Sequence, residues 1–542
     1  MADIQTTRSQ FPAVRTLAEI VATVAHAHPD RPAIVCGGET TSYGSLERAI
    51  ARAACGFAAL GVAHGDRVAL LLPNGLEFVV AFCALMRLGA IAVPINVLYR
   101  GEELAYILGD SGATALVAHA AFAESVAAAR PHAPALRQAI AVGDGLVDGA
   151  QAWADVLTAG TARPAVAVAP DDVAVICYTS GTTGRSKGAL LTHRNLVAAQ
   201  RGWDGMPHMR FRADDRVLCP LPLFHIYGLN IGMAHALACG ATLYLMARFA
   251  PQEALDLLAA ARITVFLGVP PMYVAFTGLP DLDTCDLTAL RVCGSGAAPL
   301  PVAVLERFEA VTGVAIDEGY GLTETAPLAT ANAAGPVNKP GTVGVPVPGV
   351  RLRVVDEQDR DVPPGAEGEV LVQGDCVFGG YWQRPEASAE ALRGGWFHTG
   401  DVGVLDADGY LTIVDRQKDM INNGGLKVWP REVEEVLYRH PAVREAAVVA
   451  LPDPYAGERP MAFVALRAGQ RAIAEELIAH VGAHLAKFKV PVRVEFRDDL
   501  PKLLSGKVLR RVLRDESRTL PPRDPDARLT PRALTSGHDP AR

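Results

Sequence analysis

Leu17, Ile20, Val21 and Val24 recur at the spacing of one helix face, and Pro29 stands where that helix must stop. Short β-branched runs then alternate with alanine-rich helical stretches. The runs are AIVC from Ala33, RVALLL from Arg67, ATALVAH from Ala113 and VAVICY from Val173, and later ATLYLM from Ala241 and ITVFLG from Ile263. Strands alternating with helices predict an α/β fold with largely parallel sheets. No unit of roughly 20–50 residues repeats, which sets a solenoid aside. The most apolar stretch, VALLLPNGLEFVVAFCALMRLGAIAVPIN from Val68, is broken by Pro73, Asn74, Glu77 and Arg87. A spanning helix needs ~20 mostly apolar residues, so this stretch reads as strand, helix and strand of a buried layer.

The pattern changes after about Val343. From Gly349 to Tyr381, Gly, Pro and Asp turns separate short alternating runs such as RLRVVD and EVLVQG. That predicts antiparallel structure, a small β-barrel-like part attached to the larger layers. A second change follows Asp415. An amphipathic helix, PREVEEVLYRH, with Val433, Val436 and Leu437 on one face, precedes a strand, AAVVAL, and a further helix near Glu475 to Phe488. These make a separate α+β lobe of roughly one hundred residues, within the usual domain range. From Ser517 the chain is rich in Pro, Arg and Asp without apolar period and reads as a disordered tail.

Composition narrows the function. The chain has 542 residues, too many for one ordinary core. Its 51 Lys and Arg against 59 Asp and Glu leave a net charge of −8, with no basic excess to neutralise the phosphates of a nucleic acid. Nine cysteines form no C-x-x-C pair and no His/Cys cluster, as expected of reduced thiols in a cytoplasmic protein. The opening MADIQTTRSQFPAVRT lacks the apolar core of a signal peptide. A cytoplasmic protein handling small molecules is expected, with no transmembrane segment; a homo-oligomer is compatible with all of this.

The chemistry begins at YTSGTTGRSKG, Tyr178 to Gly188, directly after an apolar run. Gly181 and Gly184 permit backbone geometry that turns amides toward an anion. Ser180, Thr182 and Thr183 add hydroxyl donors and Lys187 a positive charge, which ~4 Å from a phosphate oxygen gains on the order of 4 kcal/mol at an effective dielectric near 20. The spacing does not match the G-x-x-x-x-G-K-[ST] loop of common NTPases. Alone, the segment reads equally well as a polar turn after a strand.

The segment closely resembles the signature loop of the adenylate-forming superfamily: acyl- and aryl-CoA synthetases, peptide-synthetase adenylation domains and firefly-type luciferases. The usual proline before the lysine is Ser186 here, a change that removes a rigid turn residue but keeps every donor and is expected to alter loop mobility more than chemistry. Five further segments fit in the same order: PLFHIYG (Pro222 to Gly228), SGAAPL (Ser295 to Leu300), GYGLTE (Gly319 to Glu324), WFHTGD with DRQKD (Trp396 to Asp401, Asp415 to Asp419), and LPKLLSGKVLRR (Leu500 to Arg511). In the last, the usual threonine after Pro-Lys is Leu503. The resemblance spans about Thr16 to Glu516. It implies a large N-terminal domain of layered α/β subdomains over 1–414, a hinge over 415–418, a mobile α+β C-terminal domain over 419–516, and the tail at 517–542.

The resemblance also implies roles. Thr179, Ser180, Gly181, Thr182, Thr183, Gly184 and Lys187 would hold the β- and γ-phosphates of ATP. Glu324 would bind Mg²⁺, a hard cation that prefers oxygen, and Thr323 would contact the α-phosphate; apart from the resemblance the two read as the cap and first turn of a helix. Tyr320 would face adenine beside the turn Gly296, Ala297, Ala298, with Glu318 and Gly319 in the same wall. Asp401, an acceptor-only carboxylate, suits two ribose hydroxyls, with Arg416 supporting ribose or phosphate. Lys507, otherwise one charge in a solvated basic stretch, would bridge the carboxylate and α-phosphate. Rotation about Lys418 would then replace Lys507 by the Gly424-Gly425 face near the thiol of coenzyme A. His225 would edge the acyl site as a gate rather than a base, because a carboxylate nucleophile has no proton to lose.

The implied acid pocket includes His225, Tyr227, Gly268, Val269 and Gly294, among mostly Gly, Ala, Val, Pro and Met. Small apolar walls suit a medium- or long-chain fatty acid. PLFHIYG also resembles aryl-CoA ligases, which keeps a cinnamate- or benzoate-type acid as the alternative. The expected activity is an ATP- and Mg²⁺-dependent acid–CoA ligase. A stand-alone acyl-AMP ligase loading a carrier protein is a second alternative, and a catalytically silent adenylate-binding protein a third. Retention of Lys187, Glu324, Asp401 and Lys507 argues against the silent protein.

Overall fold

Along the strand Arg67–Leu71, Val68 and Leu70 join one apolar cluster while Ala69 and Leu71 join another. A strand buried on both faces must be apolar at every position, and this one defines the architecture of the computed structural model. The model describes residues 14–144, 149–160, 166–179, 186–416, 419–453, 455–502 and 508–519. The stretch from Val68 is strand Arg67–Leu71, helix Leu76–Leu88 and strand Ile91–Pro94, with the helix buried along nearly its whole length. Among the described residues no helix is long and apolar enough to cross a membrane.

Two large sheets follow. A seven-stranded sheet runs in the order Gln151–Ala152, Gln138–Val142, Ala115–His119, Arg67–Leu71, Ile91–Pro94, Val173–Thr179, Lys187–Thr192. Its pairings are parallel except the last, an antiparallel hairpin with Thr179 opposite Lys187. A nine-stranded sheet has a parallel centre that includes Val265–Gly268, Val292–Ser295 and Ile316–Tyr320. One continuous core joins the two sheets through helix Leu76–Leu88. The open end of the central strands carries the polar turns, as parallel α/β sheets require.

The expected small β part is a four-stranded antiparallel meander, Val350–Val355, Glu367–Gly374, Phe397–Leu405 and Leu411–Arg416. Past residues 417–418 lies a five-stranded sheet with helices Pro430–Tyr438, Ala474–His484 and Arg510–Ser517 and its own apolar clusters. The last helix runs to Ser517, whose hydroxyl donates to the Ala450 carbonyl, so the boundary expected at 516 falls inside that helix. Residues 520–542, the rest of the expected tail, lie outside the described residues. All nine cysteines are free thiols.

Candidate functional site

A cleft of about 940 Å³ opens where the two large sheets, the meander and the C-terminal lobe meet. Thr179, Lys187, His225, Tyr227, Gly294, Gly296, Ala297, Ala298, Glu318, Gly319, Tyr320, Thr323, Glu324, Asp401 and Arg416 all border it. Residues up to 237 positions apart in sequence, 416 minus 179, therefore share one chamber. Ser180, Gly181, Thr182, Thr183, Gly184, Lys418 and Lys507 lie outside the described residues. Lys502 and Val508, which flank the segment carrying Lys507, pair in a β-bridge and both line the cleft.

Two expected pairs lie away from the cleft, the second as it should before the lobe rotates. Gly268 and Val269 do not line the cleft. Gly268 sits under the Phe266 and Tyr273 rings, and Val269 is the buried residue that starts helix Pro270–Phe276, so Pro270, Pro271 and Val274 form the wall instead. Gly424 and Gly425 turn the hairpin Ile421–Asn423 to Leu426–Val428 away from the cleft, with open space around both.

One end of the chamber is ionic. Asp401, almost fully buried, accepts the Tyr320 hydroxyl at 2.7 Å on one oxygen and faces the Arg416 guanidinium at 2.8 Å with the other. Burial, with the Asp401 carboxylate next, holds the Tyr320 phenol well above its ordinary range. Glu318 accepts the Leu300 N–H at 3.2 Å. Burial raises its carboxyl from 4.5 to about 7, against the lowering effect of Arg431 from the C-terminal lobe.

Glu324 sits in the single turn Thr323–Thr325 and is buried, which raises its pKa. The Tyr381 hydroxyl donates to its Oε1 at 2.8 Å, and the Lys187 ammonium lies 5.1 Å from the centre of the same Tyr381 ring. Tyr381 thus joins two residues expected to act on the phosphates. Nothing in the local sequence marks it for this, because its partner Glu324 lies 57 positions away. The turn itself depends on close backbone approach: a Cβ on Gly321 would stand 1.6 Å from the Pro327 carbonyl oxygen. Ala297 adopts φ +68°, a strained conformation for alanine, at the expected adenine-side turn.

The other end is apolar. A Cβ on Gly294 would lie 3.1 Å from the Tyr227 hydroxyl, 3.2 Å from Leu267 and 3.5 Å from the Trp203 ring, so glycine keeps this floor open. Trp203, buried and pinned by its indole N–H to the Met209 carbonyl at 2.9 Å, is the second wall residue the sequence reading missed. Tyr227 begins a π-helical stretch, Tyr227–His235, and its own N–H donates to His225 Nδ1 at 3.4 Å. Burial pushes the Tyr227 phenol far up, so it is present as the hydroxyl.

The chain is similar to known proteins over nearly its whole length. A family model described as AMP-binding enzyme matches residues 21–382, and one described as AMP-binding enzyme C-terminal domain matches 432–507. A feruloyl-CoA synthase of Amycolatopsis sp is 40% identical over 490 residues, covering 90% of this chain and 96% of that protein. A long-chain-fatty-acid–CoA ligase of Bacillus subtilis (strain 168) is 34% identical, covering 93% of this chain and 94% of that protein. The crystal structure of an anthranilate CoA ligase in complex with anthranoyl-AMP superposes with a TM-score of 0.87 at 31% identity, covering 93% of this chain and 97% of that one.

Proposed function

We propose a substrate from the premise that this chain belongs to the AMP-binding enzyme family and is an AMP-forming acid–CoA ligase, working through an acyl-adenylate: the acid is an aryl acid of the cinnamate type with a polar ring substituent. One observation carries this. The Tyr227 hydroxyl reaches the cleft over Gly294 and makes no hydrogen bond to a described residue. A hydroxyl facing the cleft from an otherwise apolar wall offers one hydrogen bond to a bound molecule, and a ring hydroxyl on the acid would take it. Trp203 gives a flat wall beside it, where an aromatic ring packs well.

The remaining roles rest on the family resemblance, supported for the described residues by their place along the cleft. Residues Thr179 to Gly184 and Lys187 hold the leaving β- and γ-phosphates. Asp401, with Arg416, receives the ribose hydroxyls; Tyr320 and the turn Gly296 to Ala298 receive adenine, and Thr323 meets the α-phosphate. Glu324 fits Mg²⁺: its Oε1 takes a hydroxyl donor, its carboxylate borders the cleft, and magnesium commonly uses one protein carboxylate with phosphates and waters. When bound there, the ion would supply charge neutralisation between two anionic reactants. Lys507 neutralises the acid's attack on the α-phosphorus, and His225 gates the acyl site. After rotation about Lys418, the Gly424-Gly425 face admits the coenzyme A thiol, which displaces AMP.

The sequence expectation of a fatty acid is the second reading, favoured by the long-chain ligases and by the apolar Met209, Ile231 and Val274 in the wall. The test is kcat/KM across cinnamate, its 4-hydroxy and methoxy-hydroxy derivatives, and fatty acids of increasing length. The hydroxylated acids should lead, and Tyr227→Phe should lower them about tenfold while sparing cinnamate, the worth of one hydrogen bond. A kcat/KM that instead climbs about tenfold per two methylenes favours the fatty acid.

A further inference from the structure

We propose that Tyr106 is a positioning residue for the phosphate loop, holding the Ser186 carbonyl and so doing by a hydrogen bond what a proline at 186 would do by its ring. Tyr106 stands on helix Gly101–Ser111, and its hydroxyl donates to the Ser186 carbonyl at 2.8 Å. Ser186 is the last residue before the hairpin closes, with Lys187 paired to Thr179. The bonded carbonyl belongs to the same peptide plane as the Lys187 N–H, so fixing one fixes the direction in which the lysine leaves the strand.

The hydroxyl is itself braced. The Tyr106 ring meets the Tyr178 ring edge-on, with centroids 6.4 Å apart at 84°. Tyr178, just before the loop, donates to Asp110 Oδ2 at 2.7 Å. Arg384 donates to Asp110 Oδ1 at 2.5 Å and reaches the Tyr106 oxygen at 3.4 Å. Trp382 closes the frame: its indole donates to the Asp110 carbonyl at 3.0 Å and its backbone N–H to the Gly188 carbonyl at 2.7 Å. Both ends of the loop are therefore tied to one turn of one helix, 68 and 80 positions away in sequence. The substitution that frees Ser186 is matched by a bond that holds it. A proline fixes φ and reduces the conformations open to the chain; the tyrosine fixes the following peptide plane. Among the described residues the Ser186 N–H has no acceptor that a proline there would deprive of a hydrogen bond.

The inference rests on the proposed phosphate role of the loop, and Lys187→Ala separates the two. Steady-state constants for ATP and for the acid are measured on Lys187→Ala, Tyr106→Phe, Ser186→Pro and the Tyr106→Phe/Ser186→Pro pair. Hydrogen exchange of the peptide spanning 179–188 is followed without ligands. Tyr106→Phe should raise the KM for ATP about fivefold, the scale of one net hydrogen bond, leave the KM for the acid unchanged and speed exchange in the 179–188 peptide. Ser186→Pro should reverse both effects in the double variant. An unchanged KM for ATP, equal rises for both substrates, or a folded double variant without recovery would overturn the proposal. If the proline chains do not fold, Tyr106→Phe alone decides, through exchange and the ATP constant. If Lys187→Ala leaves the KM for ATP unchanged, the phosphate role of the loop falls, and the Tyr106 proposal falls with it.

Discussion

Burial raises two carboxyls bordering the nucleotide end of the cleft, Glu318 and Glu324, and hydrogen-bond donors offset part of each rise. For Glu318 the rise, from 4.5 to about 7, fixes a sign. Between those values the folded chain binds the proton more tightly than the unfolded chain, so stability is highest below 4.5 and falls as the pH climbs through the window. The full change is on the order of 3 kcal/mol. Glu318→Gln keeps an acceptor for the Leu300 N–H and removes the titration. Its melting temperature should match the parent near pH 5 and exceed it by several degrees at pH 8, followed by thermal unfolding at each pH. Gly321 carries a second residue-scale prediction. With the Pro327 oxygen 1.6 Å from a modest methyl, Gly321→Ala must displace the turn bearing Thr323 and Glu324. Overpacking of this kind costs ~1–3 kcal/mol, and kcat should fall at least tenfold, with a raised magnesium requirement in a metal titration.

At the scale of elements, the strands were legible because burial on both faces leaves a continuous apolar run, as in VAVICY, and the helices because an apolar stripe repeats, as in Val433, Val436 and Leu437. What could not be read was any element whose form is imposed from outside. Tyr227–His235 is buried throughout and so has no polar face to give a period, and its π-helical winding leaves no mark in composition. Asn230 anchors it near its centre. The Asn230 amide donates to the Leu196 carbonyl at 3.0 Å and the Ala326 carbonyl at 2.7 Å and accepts from Gln200 at 2.8 Å. It therefore ties the element that begins with Tyr227 to the residue that ends the Thr323–Thr325 turn, where Ala326 takes φ +60°. Asn230→Leu keeps the volume and strands those carbonyls and Gln200. It should lower stability by about 2–4 kcal/mol in denaturant unfolding, and the surviving folded enzyme should show raised KM values for the acid and for ATP together.

At the scale of the whole molecule, the six segments that sequence reading placed in order converge on one cleft because the two large sheets and the meander aim their loops at it, an arrangement no local pattern encodes. Tyr381, Trp203 and Tyr106 escaped notice for the same reason: each meets a neighbour distant in sequence, Glu324, Gly294 and Ser186 in turn. The approach of the C-terminal lobe is also non-local. Arg510, at the start of helix Arg510–Ser517, faces Asp415 at 3.1 Å and Glu434 at 2.6 Å. Asp415 closes the last strand of the meander, and its second oxygen accepts the Arg431 N–H at 3.1 Å. One guanidinium thus joins the strand before residues 417–418 to a helix after them, three positions from Lys507. In the proposed mechanism this is the adenylating arrangement, so the two half-reactions should separate by mutation. Lys507→Ala removes a charge set between two converging anions, and acyl-AMP synthesis should fall about 10²- to 10³-fold, the scale of a deleted electrostatic stabiliser. Arg510→Lys keeps a positive charge but replaces a planar fork by a single ammonium, which bridges two carboxylates poorly. It should slow acyl-AMP synthesis about tenfold, a cost near 1.4 kcal/mol, by weakening the arrangement rather than the chemistry. Neither variant should slow acyl transfer from supplied acyl-AMP to coenzyme A by more than about twofold, and single-turnover assays of each half-reaction measure all four rates. Equal losses in both halves would mean that Lys507 and Arg510 serve one fixed arrangement and that the lobe does not alternate.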